Sequence, residues 1–155
     1  MTGAEHRLCS FRLGAHLLGV EASRVQEVVR GQELTRVPLA AAAIGGLLNL
    51  RGQIVTAINL RVRLGLPAPE WGWERTATHL IVRTGDELVS LLVDEIGDVL
   101  AVPQDALEPP PPTLRAEAKR LIVGAYKLPE HLLLALDSDR AACVAGEETD
   151  GTCHR

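Results

Sequence analysis

The sequence predicts an all-β protein with short helices, its short strands closing into small barrels. Three observations predict it. Apolar and polar residues alternate with period two over short stretches bounded by Gly and Pro, the signature of half-buried strands. No helical pattern of roughly 10–15 residues follows each strand, so the alternation of a layered α/β fold is missing. A weak internal repeat also runs through the chain. Arg12-Leu13-Gly14-Ala15-His16-Leu17-Leu18-Gly19-Val20-Glu21 is echoed by Arg83-Thr84-Gly85-Asp86-Glu87-Leu88-Val89-Ser90-Leu91-Leu92-Val93-Asp94. The hairpin ending Ala57-Ile58-Asn59-Leu60-Arg61 is likewise echoed by the one ending Leu134-Ala135-Leu136-Asp137. This suggests a duplicated module of strands, a helical turn and a hairpin, which favours barrels of several short strands.

In chain order, residues 7–13 alternate, with Cys9, Phe11 and Leu13 on one side and Leu8, Ser10 and Arg12 on the other, a strand period. Gly14-Ala15-His16 turns the chain, and residues 17–20 return as a second strand. Ser23 offers a helix N-cap, with Gln26 three residues on as its capping-box partner. Ala22, Val25, Val28 and Val29 form an apolar stripe over a short helix or helical turn, which Gly31 ends. Residues 34–37 are expected as a brief strand, stopped by Pro38. Two apolar strands joined at Arg51-Gly52 follow, and residues 61–65 close them with a helical turn. Residues 66–76 carry Pro67, Pro69, Trp71, Gly72 and Trp73 and read as a linker. Residues 78–83 and 87–94 are strands around Gly85-Asp86, and 98–102 is another, ended by Pro103. The proline run 109–112 makes an extended surface segment. Residues 114–120 suit a helix, 121–126 and 131–137 form a last strand pair, and the tail after Ala145 is polar and expected to be disordered.

Composition narrows the function. Of 155 residues, 46% are apolar but only 3% aromatic. A chain of this size buries about two thirds of its unfolded surface, so a core of Leu, Val, Ile and Ala suffices without a metal or disulfide. Few aromatic platforms remain for stacking bases or sugars. With a net charge of −4 and no Lys/Arg cluster, nucleic acid is not an expected partner. No apolar run reaches the roughly 18 residues of a membrane span. Met1-Thr2-Gly3-Ala4-Glu5-His6 lacks the basic and apolar regions of a signal peptide. The chain is therefore expected in the cytoplasm, without direct membrane insertion. Cys9, Cys143 and Cys153 are odd in number and widely spaced, which fits reduced thiols.

No constellation for catalysis is visible. The histidines His6, His16, His79, His131 and His154 form no HxxxH or HExxH pair, and no CxxC is present, so neither metal nor cofactor is expected. The GxSxG, P-loop and GxGxxG patterns are missing. Asp94 and Glu95 are adjacent carboxylates at a strand end and read as solvated charges at a turn. As a glycosidase pair they would flank a cleft with sugar-stacking aromatics. His79, at a strand start, reads as a surface or interface residue rather than a base. An enzyme is not expected. The competing reading, a small hydrolase with an inter-lobe site, needs Asp94, Glu95 or His79 in one cleft.

The most informative stretch is Gly46-Leu47-Leu48-Asn49-Leu50-Arg51-Gly52-Gln53-Ile54-Val55. Gly45-Gly46 allows a sharp entry, and Gly52 supplies the positive φ that such a turn requires. Arg51 has two readings. It is a solvated turn residue, or its guanidinium forks onto a carboxylate of a neighbouring element, with Glu27 as candidate. Whether such a pair forms within the chain or across an interface stays open. Leu47, Leu48, Ile54 and Val55 are core positions first. Strands apolar on both faces also suggest burial on two sides, one of them against a partner.

This hairpin, continued by Ile58-Asn59-Leu60-Arg61, resembles the signature hairpin of the CheW family. Val25-Gln26-Glu27-Val28 upstream and Leu92-Val93-Asp94-Glu95-Ile96-Gly97-Asp98-Val99 downstream support the resemblance in order and spacing. The resemblance spans about residues 8–144. It implies two intertwined, five-stranded SH3-like β-barrels with a shared core, in one CheW-like domain over 7–144, with approximate lobes 7–66 and 77–144 and a polar tail 145–155. It implies no catalysis and no cofactor. It implies a coupling adaptor that binds the regulatory domain of a CheA-type histidine kinase and the cytoplasmic tip of a methyl-accepting chemoreceptor, recruited to membrane receptor arrays. By position, Val25, Glu27, Arg51, His79 and Val99 match receptor- or kinase-contacting places, while Gly46, Asn49 and Gly52 match the motif and shape the hairpin. His79 departs from the usual aliphatic residue, Thr56 from proline, Asn59 from aspartate and Ser90 from the frequent glycine. These departures leave open a paralogue serving a non-flagellar pathway such as pilus-based motility.

Overall fold

The computed structural model describes residues 5–67 and 73–143. Period-two segments fold as strands wherever a glycine turn lets a neighbour return. β1 (Glu5–Leu13) and β2 (His16–Glu21) form an antiparallel hairpin about Gly14, at φ 63°. Their echo, β6 (Thr78–Thr84) and β7 (Glu87–Val93), turns at Gly85 with φ 65°. β4 (Ile44–Leu50) pairs with β5 (Gln53–Asn59). The corresponding later hairpin is β9 (Ile122–Lys127) with β10 (Leu132–Leu136).

The expected short helix or helical turn, ended by Gly31, is corrected to one turn followed by a strand. Ala22–Arg24 is a single 3-10 turn with Ser23 inside it, and β3 (Val25–Val29) is a strand antiparallel to β6. Its three valines are β-branched and favour a pleated surface over a helix, and β6 supplies the ladder. Its counterpart β8 (Glu95–Pro103) pairs with β1. Of residues 34–37, only Thr35 makes a bridge, to Leu47. The helices are one-turn elements: α1 (Leu60–Arg63), α2 (Trp73–Thr76), α3 (Ala116–Lys119) and α4 (Ser138–Ala141). α2 falls inside the expected linker, and α4 was not foreseen. Asn59 caps α1 by accepting from Val62 N–H at 3.3 Å, and Asp137 caps α4 by accepting from Arg140 N–H at 3.1 Å. The tail 145–155 and Trp71 lie outside the described residues. Cys9 is a buried free thiol, whereas Cys143 is disulfide-bonded, against the expectation of reduced thiols throughout.

The strands form two five-stranded sheets, ordered β8-β1-β2-β10-β9 and β3-β6-β7-β5-β4. The orders match strand for strand when each half of the chain is laid on the other. The sheets do not follow the halves. The middle sheet is a continuous stretch, β3 to β7. The outer sheet joins β1 and β2 to β8, β9 and β10, with β2 and β10 parallel. Each sheet curls closed in the same way. Thr35 and Leu47 exchange backbone bonds of 2.8 and 2.9 Å beyond β3, and Glu108 and Ala125 do so with the same lengths beyond β8.

Three apolar clusters result. The largest lies between the sheets, where Phe11, Leu13, Leu18 and Val20 meet Ile58, Leu80, Leu91 and Val93. Leu48, Val55, Ala57, Ile81 and Leu92 fill the middle sheet, and Leu8, Val102, Tyr126 and Leu133 the outer one. Each fully buried side chain is worth about 1.5–3 kcal/mol, so the shared cluster outweighs any surface ion pair, typically about 0–1 kcal/mol.

Candidate functional site

The β4–β5 turn is held at three points. Arg51 and Gly52 both have positive φ, 53° and 89°, as the commonest two-residue hairpin turn requires. Asn49 Oδ1 accepts from Gly52 N–H at 2.8 Å. At the strand's other end, a Cβ on Gly46 would sit 2.9 Å from Thr35 O, so only glycine lets the closing bridge approach. The Arg51 guanidinium donates through Nη2 to Glu27 Oε2 on β3. The pair therefore forms within the chain. It is open to water, with the Arg51 side chain 68% exposed and Glu27 25%.

Beside the turn, Ile54 is 61% exposed, opposite Asn49 across the ladder. This corrects its assignment to the core. Periodicity assigns Ile54 and Val55 to opposite faces but does not say which face is covered. Val25 is half-buried on the same strand as Glu27 and packs on the shared core. Val99 is 54% exposed on β8, in the other sheet. The structure thus brings together Arg51, Glu27, Asn49 and Ile54, and places Val99 apart.

His79 is corrected as a surface residue. It is 1% exposed on β6, and its Nδ1 lies 2.8 Å from the Ser90 hydroxyl on β7. Burial pushes its pKa below the ordinary histidine value, so the folded chain favours the neutral ring. The two side chains thus satisfy one another, and His79 is withdrawn from the surface.

Asp94, at the end of β7, is occupied on both oxygens. Oδ2 accepts from Gly14 N–H at 2.7 Å and from Arg61 Nη2 at 2.8 Å, and Oδ1 accepts from Trp73 Nε1 at 2.7 Å. Glu95 is exposed on β8. Cavities of about 210 and 320 Å³ are lined by none of Asp94, Glu95 and His79. The hydrolase reading needs a cleft carrying Asp94, Glu95 or His79, and neither of these two cavities supplies one. This network drew its members from four separate segments, and no local pattern announced it.

Two closed five-stranded sheets on a shared core, with an exposed ion pair and isoleucine at a hairpin tip, define a double β-barrel protein. The model of the CheW-like domain matches residues 7–142. The chain is 30% identical over 135 residues to the chemotaxis protein CheW of Treponema pallidum, covering 86% of this chain and 79% of that one. It is 28% identical over 130 residues to CheW of Klebsiella aerogenes, covering 84% and 77%. The crystal structure of the scaffolding protein TtCheW from Thermoanaerobacter tengcongensis superposes with a TM-score of 0.75 at 26% identity, covering 86% and 89% of the two chains. This chain belongs to the CheW-like family, the non-catalytic scaffolding proteins of chemotaxis, and its sheets are SH3-like barrels.

Proposed function

We propose that the protein is a cytoplasmic adaptor coupling methyl-accepting chemoreceptors to a CheA-type histidine kinase. In this reading it binds the regulatory domain of the kinase and the cytoplasmic tip of the receptor, and is recruited to membrane receptor arrays. Val25, Glu27, Arg51 and Val99 contact these partners, joined by Ile54. No described helix is long and apolar enough to cross a membrane. The observation that carries the reading is the hairpin tip. A guanidinium is tethered to a carboxylate there, so it is pre-aimed, yet 68% of its side chain is left to solvent. Held beside the exposed Ile54, it offers a charged and an apolar contact to one docking surface.

The test is calorimetry with the regulatory domain of the kinase from the same organism. Saturable one-to-one binding is expected. Arg51→Ala weakens it by about 1–3 kcal/mol, roughly 5- to 150-fold, where the partner covers the pair. The melting curve shifts by about 0.5 kcal/mol or less, because the pair is solvent-screened in the free protein. Absence of binding at concentrations on the order of tens of micromolar counts against the reading, and a melt that falls as much as binding makes Arg51 a fold residue.

A further inference from the structure

The structure assigns Asp94, Arg61 and Trp73 to be positioning residues that fix the two barrels in one relative placement. This rests on the adaptor reading, in which the contact residues fall on both sheets: Glu27 and Arg51 on the middle one, Val99 on the outer one. A signal between partners must then cross from sheet to sheet.

The described chain crosses at two places, residues 22–24 and Asp94. At Asp94, one carboxylate collects a bond from each side. Gly14 belongs to the outer sheet's first hairpin, and Arg61 to α1, which continues the middle sheet's β5. Asp94 N–H also donates to Arg12 O at 3.0 Å. Trp73 adds the third side-chain bond. Its ring packs on both the shared cluster and the middle sheet's own cluster, and the Arg61 guanidinium stands 5.2 Å from the ring centroid. The Arg61 and Asp94 side chains are only 14% and 25% exposed.

The other crossing carries the same tie with its charges inverted. Arg24 forks onto Asp139 at 2.8 and 3.2 Å and donates to Arg83 O at 3.3 Å. Asp139 is the second residue of capped helix α4, as Arg61 is of capped helix α1. Arg83 is the echo of Arg12. Apolar packing holds the sheets together but is non-directional. Directional bonds at two separate points also resist their rotation, which a coupler that transmits placement requires.

The experiment measures distances between spin labels, attached by non-cysteine chemistry at exposed Glu87 of β7 and Val123 of β9 in the full chain. Asp94→Asn puts an amide where Gly14 and Arg61 both donate. It is expected to broaden the distance distribution about twofold or more. Affinity for the kinase regulatory domain stays within about twofold, while receptor control of kinase activity falls about tenfold or more. Trp73→Phe, which keeps a ring and removes one bond, gives a smaller broadening of the same kind and serves if Asp94→Asn does not fold. An unchanged distribution in the folded variants overturns the assignment, as does loss of control merely in proportion to lost affinity. If the parent chain binds no kinase, the adaptor reading fails on its own, and the distance measurement still decides the placement role.

Discussion

Where the chain leaves the middle sheet, the tie at Asp94 is largely shielded, at 14% and 25% exposure for its two side chains. Where the chain enters that sheet, the tie between Arg24 and Asp139 stands at 35% and 47%. Each tie is an arginine–aspartate pair, but the two differ in water access and in partners: Asp94 also accepts from Gly14 and Trp73, whereas Arg24 also stands 3.7 Å from Glu21. The paired cores differ in another way. In β1–β2, Leu8 covers Gly19 so closely that an added Cβ would lie 3.1 Å from Leu8 Cβ. Counting from the turn at Gly85 rather than Gly14, the same places in β6–β7 hold His79 and Ser90. One strand plan thus accepts an apolar pair or a hydrogen-bonded polar pair, because either leaves no buried polar group unmet.

Removing the shielded tie breaks this comparison most severely. Asp94→Ala strands the Arg61 guanidinium and the Trp73 N–H together. It is expected to lose about 2–3 kcal/mol in urea unfolding, somewhat below the loss for a fully buried pair. A loss no larger than that of Arg24→Ala would show that burial does not separate the two ties.

The core pair comes next. His79→Leu leaves the Ser90 hydroxyl without its partner and is expected to cost about 1–2 kcal/mol. Adding Ser90→Gly restores most of this by copying Leu8 over Gly19. The same double variant should remove a pH slope. His79 has its pKa lowered in the folded chain from an ordinary 6.5. Above that pH both states are neutral and the residue adds no pH dependence. As pH falls through about 6.5 the unfolded chain takes the proton first, so stability declines until the folded pKa is passed. Unfolding curves between neutral and mildly acidic pH check it, and a parent slope that survives in the double variant would place its origin elsewhere. Smallest of all, Arg24→Ala is expected to cost roughly 0.5 kcal/mol, and the difference should shrink further in high salt.

The sequence made the hairpins legible because alternation and a glycine turn are local. β1–β2, β6–β7 and β4–β5 lie where the pattern put them, and the echo between halves became the matching strand orders. Val25–Val29 was misread because Ala22, Val25, Val28 and Val29 also fit a helical stripe, and only the presence of β6 selects the strand. Glu27 was legible as a partner for Arg51 by chemistry. The burial of His79 was not, since Ser90 lies eleven residues away and meets it only through the β6–β7 register. Ile54 and the Asp94 network depended on which surfaces the fold covers, which periodicity does not encode.

The outer sheet also dictates an order of events during synthesis. β1 and β2 are translated before the middle sheet, yet the other three of their sheet's five strands are translated after it. β3 to β7 can assemble in the interval, while the apolar faces of the leading hairpin wait without their strand neighbours, a state prone to unwanted association. Truncating the chain before β8 would make that waiting permanent, and trimming β1 away would bare the length of β8 as a template for a foreign strand.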